Sequence, residues 1–154
     1  DAPMSGATVL AEEARLSFML GGTDADLDRL QPLFNAMGDK FHRLGPYGAG
    51  MTAKVLNNFC AATSTAGTRA VLTWAKKLGV DETRMLAVLN DSSGQNWMAS
   101  NFGRIEFARE GYSPDNTLGI LAKDLDSLLD ALPDEEAEGL ALELIQFIRS
   151  MKPL

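Results

Sequence analysis

The stretch Gly45–Val80 decides the fold and reads GPYGAGMTAKVLNNFCAATSTAGTRAVLTWAKKLGV. Its first six residues contain three glycines and a proline, which is the composition of a turn. Residues 51–78 then contain no proline and a single glycine, Gly67. This pattern predicts one helix from about residue 50 to 78, roughly 40 Å long at a rise of 1.5 Å per residue.

The end and the middle of this helix are also marked in the sequence. Gly79 suits the left-handed position that closes a helix, and Lys76 and Lys77 complement the negative end of the helix dipole. The side chains of Ala61–Gly67 are small and would let another helix approach closely. We therefore expect this helix to lie inside a bundle or at a subunit interface.

The residues before the helix predict a small region that contains strands. Residues 1–22 are interpreted as two short extended pieces, of which Leu16–Leu20 resembles a buried strand. Thr23 can cap a following helix, which Gly38 would end. Lys40–Leu44 is interpreted as a final edge strand. The apolar stripe expected on the helix consists of Leu27, Leu30, Phe34 and Met37.

The residues after the long helix predict further helices. Asp81 is expected to cap one with Leu86 and Leu89 inward, and Ser93 another that carries Trp97 and Phe102 as packing residues. The last two helices are indicated by Leu118, Leu121, Leu125, Leu128 and Leu132, and after Pro133 by Leu140, Leu144, Ile148 and Met151. The predicted fold class is mainly α, a helical bundle built around one long helix.

Composition excludes several classes of function. The formal charge of −7 gives no attraction to a polyphosphate backbone, so no nucleic acid partner is expected. No apolar run is long enough to suggest a membrane span. Cys60 and His42 are each the sole residue of their type, so no metal site is expected. Cys60 is interpreted as a small buried hydrophobic residue, and His42 as a surface or interface residue.

The glycines of Gly45–Gly50 resemble two nucleotide-binding motifs. The spacing is that of a phosphate loop, but Met51 stands where that motif needs a lysine, so we reject nucleotide hydrolysis. Gly48–Ala53 also formally matches a dinucleotide-binding fingerprint. It follows no convincing buried strand, and the helix after it runs too far to be followed by a second strand. We disfavour this interpretation as well.

The polar residues near the helix start are the best candidates for chemistry. Lys54, Asn57 and Asn58 have the i, i+3 and i+4 spacing that gives them one helix face. On spacing alone, a solvated polar face is the better explanation. Lys54, however, follows the positive end of the helix, where the helix dipole disfavours an ammonium and favours the neutral amine that a general base needs.

Five motifs in order across about 125 residues resemble the β-hydroxyacid dehydrogenase family. The resemblance is to its 3-hydroxyisobutyrate dehydrogenase and tartronate semialdehyde reductase branch, a group related to 6-phosphogluconate dehydrogenase. The motifs are Asp1-Ala2-Pro3-Met4-Ser5-Gly6, Phe18-Met19-Leu20-Gly21-Gly22, Gly45–Gly50 with Lys54 and Asn57-Asn58, Ser92-Ser93-Gly94 with Trp97, and Lys123-Asp124-Leu125.

The resemblance implies an oxidoreductase that uses NAD or NADP and a small 3-hydroxy acid. Lys54 would be the catalytic acid/base, and Lys123 would reach the cofactor, although a plain surface lysine is an equal alternative for position 123. The expected substrate-binding residues are Ser5, Gly6, Ala7, Asn57 and Asn58. Ala7 departs from the second glycine usual in the family, which leaves the identity of the hydroxy acid open.

The resemblance also implies a domain organisation. Residues 1–44 would be the end of a nucleotide-binding Rossmann domain, and residues 45–154 a helical substrate-binding and dimerisation domain. We expect a homo-oligomer in the cytoplasm or an organelle matrix, and no activity from this chain alone. The alternative is a non-catalytic helical domain for oligomerisation or protein recognition. The presence of both Lys54 and Asn58 favours the enzyme.

Overall fold

The computed structural model describes residues 1–132 and 138–154, and within them the chain is mainly helical, as predicted. It divides into two compact units, Asp1–Asn57 and Asn58–Leu154. This division lies inside the long helix, whereas the domain boundary expected from the resemblance lies before it, at residue 45. The elements are β1 (Met4–Ser5), α1 (Ala7–Glu12), β2 (Leu16–Gly21), α2 (Asp24–Asn35), β3 (Gly38–Gly45), α3 (Ala49–Lys77), α4 (Glu82–Asp91), α5 (Trp97–Asn101), a 3₁₀ helix (Glu106–Arg109), α6 (Thr117–Ala131) and α7 (Glu138–Arg149).

The first unit is built on a three-stranded sheet of order β1-β2-β3. β1 pairs antiparallel with β2, with Met4 opposite Phe18, and β2 pairs parallel with β3. β2 was expected as a buried strand, and Leu16, Phe18 and Leu20 are indeed buried. The edge strand expected at Lys40–Leu44 lies within β3. The small core formed by this sheet and α2 consists of Leu16, Phe18, Leu20, Leu27 and Phe34.

Three expectations for the first unit were wrong. Leu30 is 39% exposed, so it does not belong to the buried stripe of α2. Residues 1–22 contain the helix α1 as well as extended pieces, and this helix has no acidic residue in its first turn and no basic residue in its last turn that could have announced it. Gly38 does not end α2, which stops at Asn35, but begins β3. A Cβ at Gly38 would collide with the Leu16 carbonyl oxygen, so this position requires glycine because the two strands lie very close together.

The cap expected at Thr23 is confirmed, since its side chain accepts from the Asp26 N–H at 3.2 Å.

The long helix α3 agrees with its prediction. It covers Ala49–Lys77, close to the expected bounds. Gly79 has a φ of 77°, and its N–H donates to the Lys76 carbonyl oxygen, so the left-handed closure is confirmed. The small residues Ala62 and Ala66 are buried against α6 and α7, as the need for close helix approach predicted. The residues that complete this core are Leu118, Leu121, Ala122, Leu125, Leu144, Ile145, Ile148 and Met151.

Other helical predictions in the second unit have mixed outcomes. Asp81 caps α4, as expected, by accepting from the Arg84 N–H at 3.1 Å. The cap of α5 is Asn96 and not Ser93, because the Asn96 side-chain oxygen accepts the Ala99 N–H at 2.9 Å. The expected start of the last helix at Pro133 lies outside the described residues.

Four single side chains can also be compared with expectation. Leu140 is 62% exposed, so its assignment to the apolar stripe of the last helix was wrong. Phe102 is buried, but Trp97 is 47% exposed and is therefore not a core residue. Cys60 is exposed and not buried, because it lies on the side of α3 away from α6 and α7.

Within the described residues, no helix combines the length and the apolar composition that a membrane span requires.

Candidate active site

Lys54 lies in the second turn of α3 and contacts β1. The last residue of β1, Ser5, begins the Ser5-Gly6 segment, which the family resemblance implies as the anchor of the substrate carboxylate. Its Nζ donates a hydrogen bond to the Met4 carbonyl oxygen at 2.9 Å. Met4 is followed directly by Ser5 and Gly6. The fold therefore brings Lys54 to the Ser5-Gly6 segment across 50 residues of sequence.

The anchor segment itself is a tight connection between two elements. Ser5 ends β1, Ala7 begins α1, and Gly6 joins them with a φ of 144°, a conformation that favours glycine. A Cβ at Gly6 would also lie 2.8 Å from Leu10 Cβ. The glycine is thus required by the turn, in addition to the substrate-binding role expected for it.

The two asparagines of the candidate site have different surroundings. Asn57 is exposed. Asn58 is 9% exposed, and its Nδ2 donates to Asp124 Oδ2 at 2.7 Å. Asn58 is therefore held in one orientation by an acidic side chain on α6, while its amide oxygen accepts no hydrogen bond from the described residues.

The contact of Asn58 with Asp124 was not predicted from the sequence. Asp124 belongs to the Lys123-Asp124-Leu125 motif, but the family resemblance implied no role for it. Its position in that motif was the available signal. Lys123 beside it is exposed on the polar side of α6, and its ammonium has no hydrogen-bond or ion-pair partner within residues 1–132 and 138–154. An exposed cation is compatible with both interpretations of Lys123.

The glycine-rich entry to α3 binds a carboxylate of the protein itself. The Gly48 N–H donates to Asp1 Oδ1 at 2.8 Å, and the Met51 N–H donates to Asp1 Oδ2 at 2.7 Å. Backbone amides at a helix start are the groups that a phosphate loop offers to its ligand. Because these amides already donate to the Asp1 carboxylate, the start of α3 is a helix end capped by the protein itself. This arrangement agrees with the rejection of a phosphate loop.

Comparison with protein families matches almost the whole chain. Residues 48–151 match the family model described as the NAD-binding domain of NADP-dependent 3-hydroxyisobutyrate dehydrogenase. Residues 1–45 match the one described as the NAD binding domain of 6-phosphogluconate dehydrogenase. The chain belongs to the β-hydroxyacid dehydrogenase family. The resemblance that the five motifs suggested is thereby confirmed.

Individual relatives in this family support the same assignment. The chain is 34% identical to the NAD-dependent L-serine dehydrogenase of Pseudomonas aeruginosa over 160 aligned residues, which cover 100% of the chain and 49% of that protein. It is 31% identical to the mitochondrial 3-hydroxyisobutyrate dehydrogenase of Drosophila melanogaster, over 81% of the chain and 40% of that protein. The chain thus spans less than half the length of these two relatives.

A solved structure in the family has the same fold. The 3-hydroxyisobutyrate dehydrogenase of Mycobacterium tuberculosis, determined with L-serine, is 26% identical and superposes with a TM-score of 0.74. The match covers 99% of this chain and 57% of that chain. The strands and helices described above are therefore a recurring arrangement of the family.

Proposed function

We propose that this chain is the substrate side of an NAD(P)-dependent oxidoreductase that interconverts a small 3-hydroxy acid and its semialdehyde or keto form. Lys54 is the general acid/base in this proposal. The observation that carries it is the hydrogen bond from Lys54 Nζ to the Met4 carbonyl oxygen. This contact holds the amine beside the Ser5-Gly6 segment, where a substrate carboxylate would bind.

The chemistry assigned to Lys54 is proton transfer at the hydroxyl group. In the oxidation direction, the neutral amine accepts the hydroxyl proton while hydride leaves the same carbon, and a C=O bond forms. In the reduction direction, the ammonium returns that proton to the oxygen. A positioned acid/base contributes about 10²- to 10⁴-fold to such a step.

The remaining site residues hold the substrate. The hydroxyl of Ser5 and the backbone amides of Gly6 and Ala7 would bind the carboxylate, because N–H and O–H groups are its natural partners. Asn58, oriented by Asp124, would hydrogen-bond the substrate beside the lysine. Asn57 directly precedes Asn58 on the helix, is exposed, and would contribute a second amide.

The nicotinamide cofactor, NAD or NADP, supplies the hydride acceptor. Among the residues of this chain, Lys123 fits a cofactor contact because its exposed ammonium has no acidic partner in the described ranges and can approach a phosphate. The amides at the start of α3 do not fit this role, since they donate to Asp1. The relatives are named for L-serine and 3-hydroxyisobutyrate, and these two 3-hydroxy acids are the first substrates to test.

The test replaces Lys54 by alanine in the full-length protein. We expect kcat for L-serine or 3-hydroxyisobutyrate to fall by about 10²-fold or more, because the proton acceptor is lost. Steady-state kinetics with NAD and with NADP measure the change, and circular dichroism checks the fold. The matched control is Lys76→Ala, which removes an exposed lysine from the far end of the same helix and should leave kcat unchanged.

An unchanged kcat in Lys54→Ala would refute the role of the lysine. If the unsubstituted full-length protein oxidised neither hydroxy acid with either cofactor, the non-catalytic alternative would be favoured. The two results are distinct, because the first leaves an active enzyme with another base and the second leaves no enzyme.

A further inference from the structure

The start of α3 differs from the starts of the helices that are capped locally. Thr23, Asp81 and Asn116 each cap the helix that follows them directly in sequence. α3 follows Gly48, which has no side chain, and carries no acidic residue in its first turn. Its free amides and the positive end of its dipole therefore need a partner from elsewhere in the chain.

Asp1 is that partner. One carboxylate oxygen accepts the Gly48 N–H and the other accepts the Met51 N–H, so both oxygens are used. The main chain of Asp1 is itself fixed, because its carbonyl oxygen accepts the Gly21 N–H at 2.9 Å and its main-chain nitrogen donates to the Gly21 carbonyl oxygen at 3.0 Å. The carboxylate is thus a bridge from the end of β2 to the start of α3.

Two glycines make room for this bridge. A Cβ at Gly21 would collide with Asp1 Oδ1. A Cβ at Gly50 would collide with the Met19 carbonyl oxygen and would lie 2.8 Å from Asp1 Oδ2. The close approach of the helix start to the strand is therefore built around the Asp1 side chain, and it accounts for glycine at these positions.

Residues 1–6, the segment that begins with Asp1, also accept a hydrogen bond from Lys54. Asp1 caps α3 and, three residues later, the Met4 carbonyl oxygen accepts from Lys54 Nζ. The segment and the helix are therefore fastened at two points, with the anchor residues Ser5 and Gly6 directly after the second. If the first point is released, the helix start can move away from the segment and Lys54 moves with it.

We propose that Asp1 is a positioning residue, which sets the distance between Lys54 and the Ser5-Gly6 anchor by capping α3 with both carboxylate oxygens. This proposal rests on the proposed function, since it concerns the placement of the same acid/base. Asp1 touches neither substrate nor cofactor in this role. It also keeps the start of α3 from acting as an anion site, because it fills that site with a carboxylate of the protein.

The test is Asp1→Ala in the full-length protein, with formate as a replacement for the lost carboxylate. We expect kcat/KM to fall about 10- to 100-fold, mostly through kcat, because displacing a reacting group by about 1 Å can cost two orders of magnitude. Formate should recover part of kcat by occupying the vacated cap, and chloride at the same ionic strength should not. The matched control is Asp81→Ala, which removes a helix cap from α4 and should leave kcat unchanged.

The outcomes separate this proposal from the proposed function. A kcat/KM within twofold of wild type in Asp1→Ala, or a loss that formate does not recover, overturns the positioning role. If Asp1→Ala does not fold, Asp1→Asn decides, since it keeps the size and one acceptor oxygen, and a wild-type kcat/KM in that variant overturns the role. Lys54→Ala is measured in parallel, and full activity in it refutes the proposed function whatever Asp1 does.

Discussion

The two ends of α3 are stabilised in opposite ways. At the C-terminal end, Gly79 adopts the left-handed conformation and Lys76 and Lys77 lie in the last turn, so the end is closed by residues next to it in sequence. At the N-terminal end the cap is Asp1, 47 residues away from Gly48. The end that carries Lys54 is therefore the end whose geometry depends on the rest of the first unit.

Because of this difference, substitutions at the two ends of α3 should have different effects. Substitutions at the C-terminal end and in the helical core should change the free energy of unfolding. Substitutions at the N-terminal end should change the position of Lys54, as proposed for Asp1. Four further variants test the effects on stability, which tryptophan fluorescence can measure because Trp74 and Trp97 both lie in the second unit.

The largest expected loss of stability is at Leu125. Its side chain is fully buried in the core between α3, α6 and α7. We expect Leu125→Ala to lower the free energy of unfolding by about 2–5 kcal/mol, because it removes buried apolar surface and leaves a cavity. Urea denaturation followed by tryptophan fluorescence measures this. Ile120→Ala on the same helix is the control, since Ile120 is 54% exposed, and an equal loss there would contradict the assigned core.

An intermediate loss is expected at Arg69. This arginine is 3% exposed, and its guanidinium donates to the Glu110 and Lys152 carbonyl oxygens, while its buried Nε has no partner. Burial lowers the pKa of this guanidinium from its ordinary value. We expect Arg69→Ala to cost about 2 kcal/mol, because two carbonyl oxygens lose their donor while the removed group was itself costly to bury.

The same urea titration measures the Arg69 variant. Arg84→Ala is its control, because Arg84 is an exposed arginine on α4. If the two variants were equally stable, the two hydrogen bonds of Arg69 would contribute nothing and the buried arginine would need another explanation.

The smallest expected effects are at two glycines and have opposite signs. Gly79→Ala should lower the free energy of unfolding by about 1 kcal/mol, because an L-residue is strained at a φ of 77° even though the space around it is open. Gly67→Ala should raise it by about 0.5–1 kcal/mol, because Gly67 lies inside α3 with open space around it and alanine favours the helix. Effects of the same sign would show that local backbone preference does not control this helix.

The parts of the fold that the sequence predicted well depend on neighbours in the chain. The caps at Thr23 and Asp81 and the closure at Gly79 each involve residues within a few positions of one another. The leucines of α6 recur on one face at helical spacing. Such signals can be recognised without the tertiary structure, because the interacting groups are fixed by the geometry of one helix.

The predictions that were wrong concern neighbours that are distant in the chain. The exposure of Cys60 and Leu140 depends on which face of a helix meets another helix, and a single helix pattern does not decide that at its margins. Gly38 looked like a helix stop, but its real constraint is the Leu16 carbonyl oxygen of the adjacent strand. The cap at Asn96 was missed because Ser93 offered an equally plausible local cap.

The family and the long helix could be predicted from the sequence alone, and so could the choice of Lys54 as candidate base, since ordered motifs and helical spacing are properties of the chain itself. The contacts between residues that are distant in the chain required the tertiary structure. The contacts of Lys54 with Met4, of Asp1 with Gly48 and Met51, and of Asn58 with Asp124 join residues 47 to 66 positions apart. No local propensity specifies such contacts, because they form only when strands and helices have packed.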